Sequence, residues 1–339
     1  MELTDTVIQL EENIKQPKEK PRFLIRDSTF ALKPQPPIDY VVDSLISRGT
    51  VSVFYGEPGS KKTYSMLSLA ACVSLGKSWL EMETKKSTVL IIDEESGELR
   101  LARRIGEVIR GEMGGENADL KFICYGGFLL DDPNDPIILS ALIQQLGAGL
   151  VIIDALSDIM TGDENLKKDT QPVFTALRKI ADDTSAAIIV IHHSNKNGGY
   201  RGSSAIKAGV DNLFQVTSSD GSGLIEFKTE KVRDGKKTNW AARAVWIGEG
   251  DQFYLESVEP RREFQKFSKA QKYVIRYLKE NPGAFLQHIE DNADSCTGIA
   301  ARAAVYQLAD RGITRRINTG KHAAYELTDK GQSVNCEEL

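Results

Sequence analysis

The stretch VSVFYGEPGSKKTYSMLSLAACVSLG, residues 51–76, carries three signals in succession. VSVFY is β-branched and aromatic and reads as a short buried strand, while YSMLSLAACVSLG repeats apolar residues at helical spacing. Between them lies a small-residue turn, Gly56-Glu57-Pro58-Gly59-Ser60-Lys61-Lys62-Thr63, with Tyr64 just beyond it. Strand, Gly-rich turn and helix in this order let successive backbone N–H groups converge on phosphate, with the positive helix N-terminus aimed at the same charge. On that reading Lys62 reaches the β- and γ-phosphates of a nucleotide and Thr63 holds magnesium. The pattern G-x-x-x-x-G-K-[ST] asks for Gly immediately before the Lys, and this chain has Lys61 there.

Working outward, the runs STVLIID, FICYG, LVIID and AAIIVIHH alternate with helical stretches, the signature of a parallel sheet with crossover helices. DNLFQV, GLIEFKTEKV, RAVWIG and FYLESV follow with turn-like Asp/Gly links and read as an antiparallel extension of that sheet. The expected fold class is α/β, with a small domain appended after a boundary near residue 260. The expected organisation is an arm or linker over 1–37, where KPQPP disfavours helix, a phosphate-loop core over 38–258 and a linker over 259–267. A small helix-rich domain over 268–331 and a tail over 332–339 complete it.

Acidic and basic side chains at the strand ends supply the candidate chemistry. LVIID places Asp154 at the C-terminal edge of the sheet beside the phosphate-binding turn, where it would hold magnesium through water. STVLIIDEES ends in three acids; Glu95 is the choice for the base that orients an attacking water, with Glu94 and Asp93 as competing assignments. AAIIVIHH ends in His192 and His193, and a polar side chain at this edge could sense the γ-phosphate. Lys231 and Arg233, separated by one residue, would project to one side of a strand end and could reach a neighbouring subunit's γ-phosphate.

The phosphate loop, DEES, LVIID, HHSNK, RGSS and K-V-R in this order resemble the RecA-like P-loop ATPase superfamily, in particular the plasmid RepA-type hexameric replicative helicases, over about residues 38 to 258. PPIDYVVDSLISRGTVSVFYGEPGS and HHSNKNGGYRGSSAI are similar to that branch in type and spacing. The resemblance implies Lys62 and Thr63 as the phosphate-loop pair, Asp154 as the metal-associated acid, Glu95 as the catalytic glutamate, His193 as the γ-phosphate sensor, and Lys231 and Arg233 as trans-acting fingers. It also implies ATP and Mg²⁺ as cofactors, a homo-oligomeric ring of about six subunits, and single-stranded DNA held by two channel loops. Here those loops are Ser157 to Gln171 and Ser194 to Lys207; Lys167, Lys168, Lys196, Tyr200, Arg201 and Lys207 would supply phosphate contacts and one stacking ring. The implied activity is an ATP-dependent DNA helicase or translocase in the replication of a mobile element. A DNA-binding regulator or loader without processive unwinding is the alternative.

SKAQKYVIRYLKENPGAF, FLQHIEDNA and TGIAARAAVYQLADRG read as three helices, and ITRRINTGKHAAYELTD as a hairpin turning at residues 318–321. This resembles a winged helix-turn-helix, with Arg302, Arg315, Arg316 and Lys321 positioned to meet duplex DNA. From Arg261 to Leu339 there are thirteen Lys/Arg against ten Asp/Glu, a net of +3, whereas the 339-residue chain is −5. The overall charge therefore argues against coating nucleic acid by bulk electrostatics. No apolar run approaches the roughly 20 residues of a membrane helix, and no export signal is visible at the N-terminus, so a cytoplasmic address is expected. Cys72, Cys124, Cys296 and Cys336 are too dispersed for a zinc ribbon or disulfide scaffold.

Overall fold

A short hairpin, β1 (Tyr40–Val42) and β2 (Ile46–Ser47), leads into β3 (Val51–Gly56), which is buried along its whole length. Its side chains alternate between faces: Phe54 joins one hydrophobic cluster, and Val51, Val53 and Tyr55 join the other. A strand covered on both faces needs apolar residues at nearly every position, which is why its run is continuous rather than alternating. These features belong to a computed structural model that describes residues 25–112, 118–194, 204–218, 223–234, 237–248, 250–259, 267–310, 312–318 and 322–332. The chain divides into two units, Met1–Arg261 and Arg262–Leu339.

In the first unit, β3 is followed by α1 (Lys62–Leu75), β4 (Thr88–Asp93), α2 (Glu98–Gly111), β5 (Leu120–Cys124), α3 (Asp135–Leu146), β6 (Ala148–Asp154), α4 (Lys167–Thr184), β7 (Ala187–His193), α5 (Ser204–Gly209) and β8 (Asn212–Ser218). Then come β9 (Leu224–Lys231), β10 (Trp240–Ile247) and β11 (Gln252–Val258). They form one sheet in the order β11-β10-β9-β8-β3-β7-β6-β4-β5. Helices α1 and α2 pack Met66, Leu69, Leu101 and Ile105 onto one face, and α3 and α4 pack Leu139, Ile143, Phe174 and Leu177 onto the other. Fully burying each such side chain contributes about 1.5–3 kcal/mol, so the two apolar layers, not the loops, fix where the strand ends sit.

One sequence expectation changes here. DNLFQV reads from its sequence as part of the antiparallel extension, but β8 pairs with β3 in parallel, Ser52 opposite Asn212 and Tyr55 opposite Gln215. The short helix α5 supplies the crossover that a parallel return requires. Among the described residues of this sheet, the antiparallel part is β9, β10 and β11, beginning with the β8–β9 pairing of Ser218 with Ile225. The stretch Ser157–Gln171 is not one open loop either: Leu156–Ile159 form a 3₁₀ turn, and Lys167 and Lys168 open α4.

The second unit contains α6 (Lys269–Glu280), β12 (Ala284–Phe285), α7 (Leu286–Asp291), α8 (Gly298–Asp310), β13 (Thr314–Arg316) and β14 (Ala324–Leu327). Ser268 caps α6 through the backbone N–H of Gln271, and the Gln271 side chain closes the reciprocal bond. The helix stops at Glu280, two residues before Pro282, and Ala284–Phe285, expected at the tail of that helix, instead pair with β14 as a third strand. Val274, Leu278, Ile289, Val305 and Leu308 form a separate core.

Candidate functional site

The C-terminal ends of four parallel strands lie side by side. Gly56 of β3 is opposite His193 of β7, Ile191 of β7 is opposite Asp154 of β6, and Asp154 is opposite Asp93 of β4. This register brings residues far apart in sequence to one edge. The turn from β3 to α1 rises above them.

The turn is shaped by two glycines. Gly56 sits so close to β8 that a Cβ would lie 2.1 Å from the Val216 carbonyl oxygen and 2.8 Å from Ser60 Oγ. Gly59 has a φ of +80°, open to glycine and strained for other residues. Gly56→Ala is therefore expected to force β3 and β8 apart and cost about 1–3 kcal/mol or more. A denaturant midpoint unchanged from the native chain would contradict that packing.

Lys61 occupies the N-cap of α1 at φ 63°, ψ 25°, and its side chain makes no cap bond. The first N–H groups of α1 are thus left for an incoming acceptor. Lys62 is buried; its Nζ donates to the carbonyls of Gly56 and Glu57, both at 2.9 Å, and lies 3.5 Å from Ser60 Oγ. Burial pushes this ammonium below its ordinary pKa, opposed by the carboxylates of Asp154, Glu95 and Glu57.

Thr63 Oγ1 donates to Asp154 Oδ2 at 2.7 Å. Asp154 is 3 % exposed, and burial pushes its carboxyl up to about 7, with Asp93 and Glu95 adding to the rise while the Thr63 bond and Lys62 oppose it. A hydroxyl and a carboxylate in contact form an oxygen donor set of the kind magnesium takes when phosphates and water complete its shell. Asp93 Oδ2, His193 Nδ1 and Ser194 Oγ are buried without a hydrogen-bond partner among the described residues. Such orphans at one strand edge fit a site that a polar ligand completes.

The three acids of DEES separate clearly. Asp93 folds over the turn, its Oδ1 accepting from the backbone N–H of Glu95 at 3.0 Å and of Ser96 at 2.5 Å. Glu94 turns away and accepts from the Gly127 N–H at 3.1 Å. Glu95 alone of the three lines the cleft.

That cleft, of about 400 Å³, is bounded by Lys61, Lys62, Thr63, Glu95, Asp154 and His193. Its size falls within the roughly 300–1,000 Å³ of small-molecule sites. Tyr64 also lines it, packed against Phe253 of β11 with centroids 4.7 Å apart and donating to Glu107 at 2.8 Å. Burial and Glu107 together raise the Tyr64 pKa.

Arg100, Arg104, Ser96 and Trp246 also border the cleft and were not anticipated. The arginines carry a readable signal, four apart on one helix face directly after the acids; Arg104 donates to Ser96 Oγ at 3.0 Å and lies over the Tyr64 ring. Trp246 gives none, because only the folding of β10 brings it there.

Other sequence candidates lie elsewhere. His192, one residue before His193, projects to the other face and lies 3.8 Å from Glu164. Glu164 is correspondingly buried. Lys231 stands at the end of β9 opposite Leu213, the start of β8 and hence the opposite sheet edge from its own phosphate loop. Its Nζ donates to the carbonyls of Lys207 at 2.8 Å and Val210 at 2.6 Å, capping α5, and burial lowers its pKa, with Arg233 adding to the effect. Arg233 pairs with Asp211 at 3.2 Å and keeps 55 % of its side chain exposed. Lys207 is half exposed, 4.0 Å from Glu230. Lys196, Tyr200, Arg201 and Lys321 lie outside the described residues.

Residues 17–199, more than half of the chain, match the family described as AAA domain. The chain belongs to the AAA domain family. The match takes in the phosphate loop, Glu95, Asp154 and His193, and stops short of Lys231, Arg233 and the second unit. The match supports a RecA-like P-loop ATPase superfamily for this domain, which implies nucleotide binding and ATPase activity. The chain is also similar to the crystal structure of the RadB recombinase, at 16% identity and a TM-score of 0.46, covering 63% of this chain and 93% of that one. Among the described residues, no helix is long and apolar enough to cross a membrane.

Proposed function

We propose that this chain hydrolyses ATP with Mg²⁺ in the cleft above β3 and couples the reaction to movement along single-stranded DNA, as a ring-forming, hexameric helicase or translocase of the RepA type serving replication of a mobile element. The observation that carries the reading is the convergence of Lys62, Thr63, Asp154, Glu95 and His193 on one cleft. Lys62 and the free N–H groups of α1 hold the phosphates, and Thr63 with Asp154 holds the metal, which draws charge from the phosphate oxygens when bound. Glu95 orients a water by accepting its proton, and His193, with its orphan Nδ1, reads the terminal phosphate.

Arg233 supports assembly in a ring. It cannot serve its own cleft from the opposite sheet edge, so a role in hydrolysis requires a neighbouring subunit. Mixing Arg233→Ala chains with native ones is expected to depress hydrolysis more than in proportion to the mutant fraction. Strictly proportional loss would remove the trans role.

The decisive assay is hydrolysis with and without single-stranded DNA, together with strand separation of a forked duplex. Stimulation with unwinding supports the helicase. Hydrolysis indifferent to single strands, with the duplex left intact, favours a loader or regulator, a reading helped by Lys231 being already engaged within its own subunit.

For the second unit, the order α6-β12-α7-α8-β13-β14 supports a winged helix-turn-helix. Arg302 and Arg315 are each paired internally, with Glu290 at 2.5 Å and Glu326 at 2.6 Å. Duplex phosphates would have to displace these carboxylates, so binding through this face is expected to weaken steeply with salt. A shift assay showing salt-independent retention of duplex would rule that mode out.

A further inference from the structure

Lys61 stands where the phosphate-loop pattern calls for glycine and adopts the left-handed backbone that suits glycine, φ 63°. A residue with a Cβ is strained in that conformation, and such strain persists where the surrounding structure holds it in place. The side chain is not idle: Lys61 Nζ donates to Ser218 Oγ at 2.8 Å, across to the end of β8. Lys61 borders the cleft that holds Lys62, Glu95 and Asp154, whereas Ser218 borders a second cleft of about 330 Å³ on the other side of the loop. Pro58 and Gly59 line both, so the Lys61 side chain bridges the two across the loop.

The two adjacent ammonium groups are held differently. Lys62 is buried and satisfied by two backbone carbonyls, with Ser60 Oγ nearby. Lys61 is half buried and has one neutral acceptor among the described residues. A phosphate oxygen is a charged acceptor and outcompetes a neutral hydroxyl for an ammonium donor.

We propose that Lys61 is a second phosphate-binding cation, held by Ser218 and transferred to a phosphate oxygen when a nucleoside di- or triphosphate enters. The proposal rests on the nucleotide-site reading above and assigns the departure from the glycine pattern a task. Release of Ser218 then accompanies nucleotide entry.

The test uses the full chain and a fluorescent ADP and ATP, with affinities measured at low and moderate salt. Lys61→Gln and Lys61→Arg keep the same backbone strain, so they separate charge from conformation. Lys61→Gln is expected to weaken both nucleotides about tenfold, most at low salt, and Lys61→Arg to stay within about threefold of the native chain. Ser218→Ala is expected to bind as tightly as the native chain or tighter, because it frees the ammonium. Equal affinity in Lys61→Gln and the native chain overturns the proposal, and so does a loss in Ser218→Ala matching that in Lys61→Gln, which would make the contact a brace. If the native chain and Lys62→Ala both fail to bind nucleotide, it is the nucleotide-site reading itself that falls.

Discussion

Replacing Lys62 with alanine is expected to lower ATP hydrolysis by about 10²–10³ or more, the scale seen when one preorganised charge-stabilising donor is removed. The geometry makes the loss specific. Lys62 is 6 % exposed and held by the Gly56 and Glu57 carbonyls, so its position is set before any ligand arrives. Preorganisation of this kind is what stabilises developing charge without reorganisation during the reaction. Nucleotide affinity should fall as well, because the ammonium faces ground-state phosphates too. Fold stability should change little, since the deletion removes a desolvated cation along with its two bonds. Hydrolysis within tenfold of the native rate, in a chain with an unchanged melting temperature, would refute the assignment.

The second large effect separates chemistry from binding. Glu95→Gln should reduce turnover by about 10²–10⁴, the range for loss of a general base, while nucleotide affinity stays within a few-fold. Glu94→Gln is the matched control. Its carboxylate is bonded to the Gly127 N–H and faces away from the cleft, so the substitution should leave turnover nearly intact. Should Glu94→Gln carry the larger loss, the water-orienting role would pass to it and the local geometry around the DEES turn would need revision.

The contrast among these acids shows how far the sequence could be read. Runs such as LVIID and AAIIVIHH announce buried strands because both faces of a central sheet demand apolar residues. The order of strand, turn and helix announces the phosphate loop even with Lys61 in place of glycine. What periodicity cannot supply is register and direction. DNLFQV looks the same as a parallel or an antiparallel strand, and only α5, six residues long, distinguishes them. The choice among Asp93, Glu94 and Glu95 likewise depends on which carboxylate the turn consumes, a matter of backbone N–H positions. From its place in the chain Lys231 reads as a cation that could reach a neighbouring subunit's γ-phosphate. Its capping of α5 depends on a contact 21 residues away, beyond the reach of local pattern.

The position of β3 has a consequence for any attempt to cut this protein down. The strand that carries the phosphate loop lies between β7 and β8, and β8 comes after residue 199, where the family match ends. A fragment trimmed to that match would strip β3 of one neighbour and leave its backbone donors and acceptors on that side unpaired, turning a strand buried along its whole length into a sticky edge. Tyr64 would lose Phe253 and Trp246 in the same cut. The smallest portion of this chain that can be handled without self-association should therefore extend through β11, and limited proteolysis should leave the span from β3 to β11 as the resistant core.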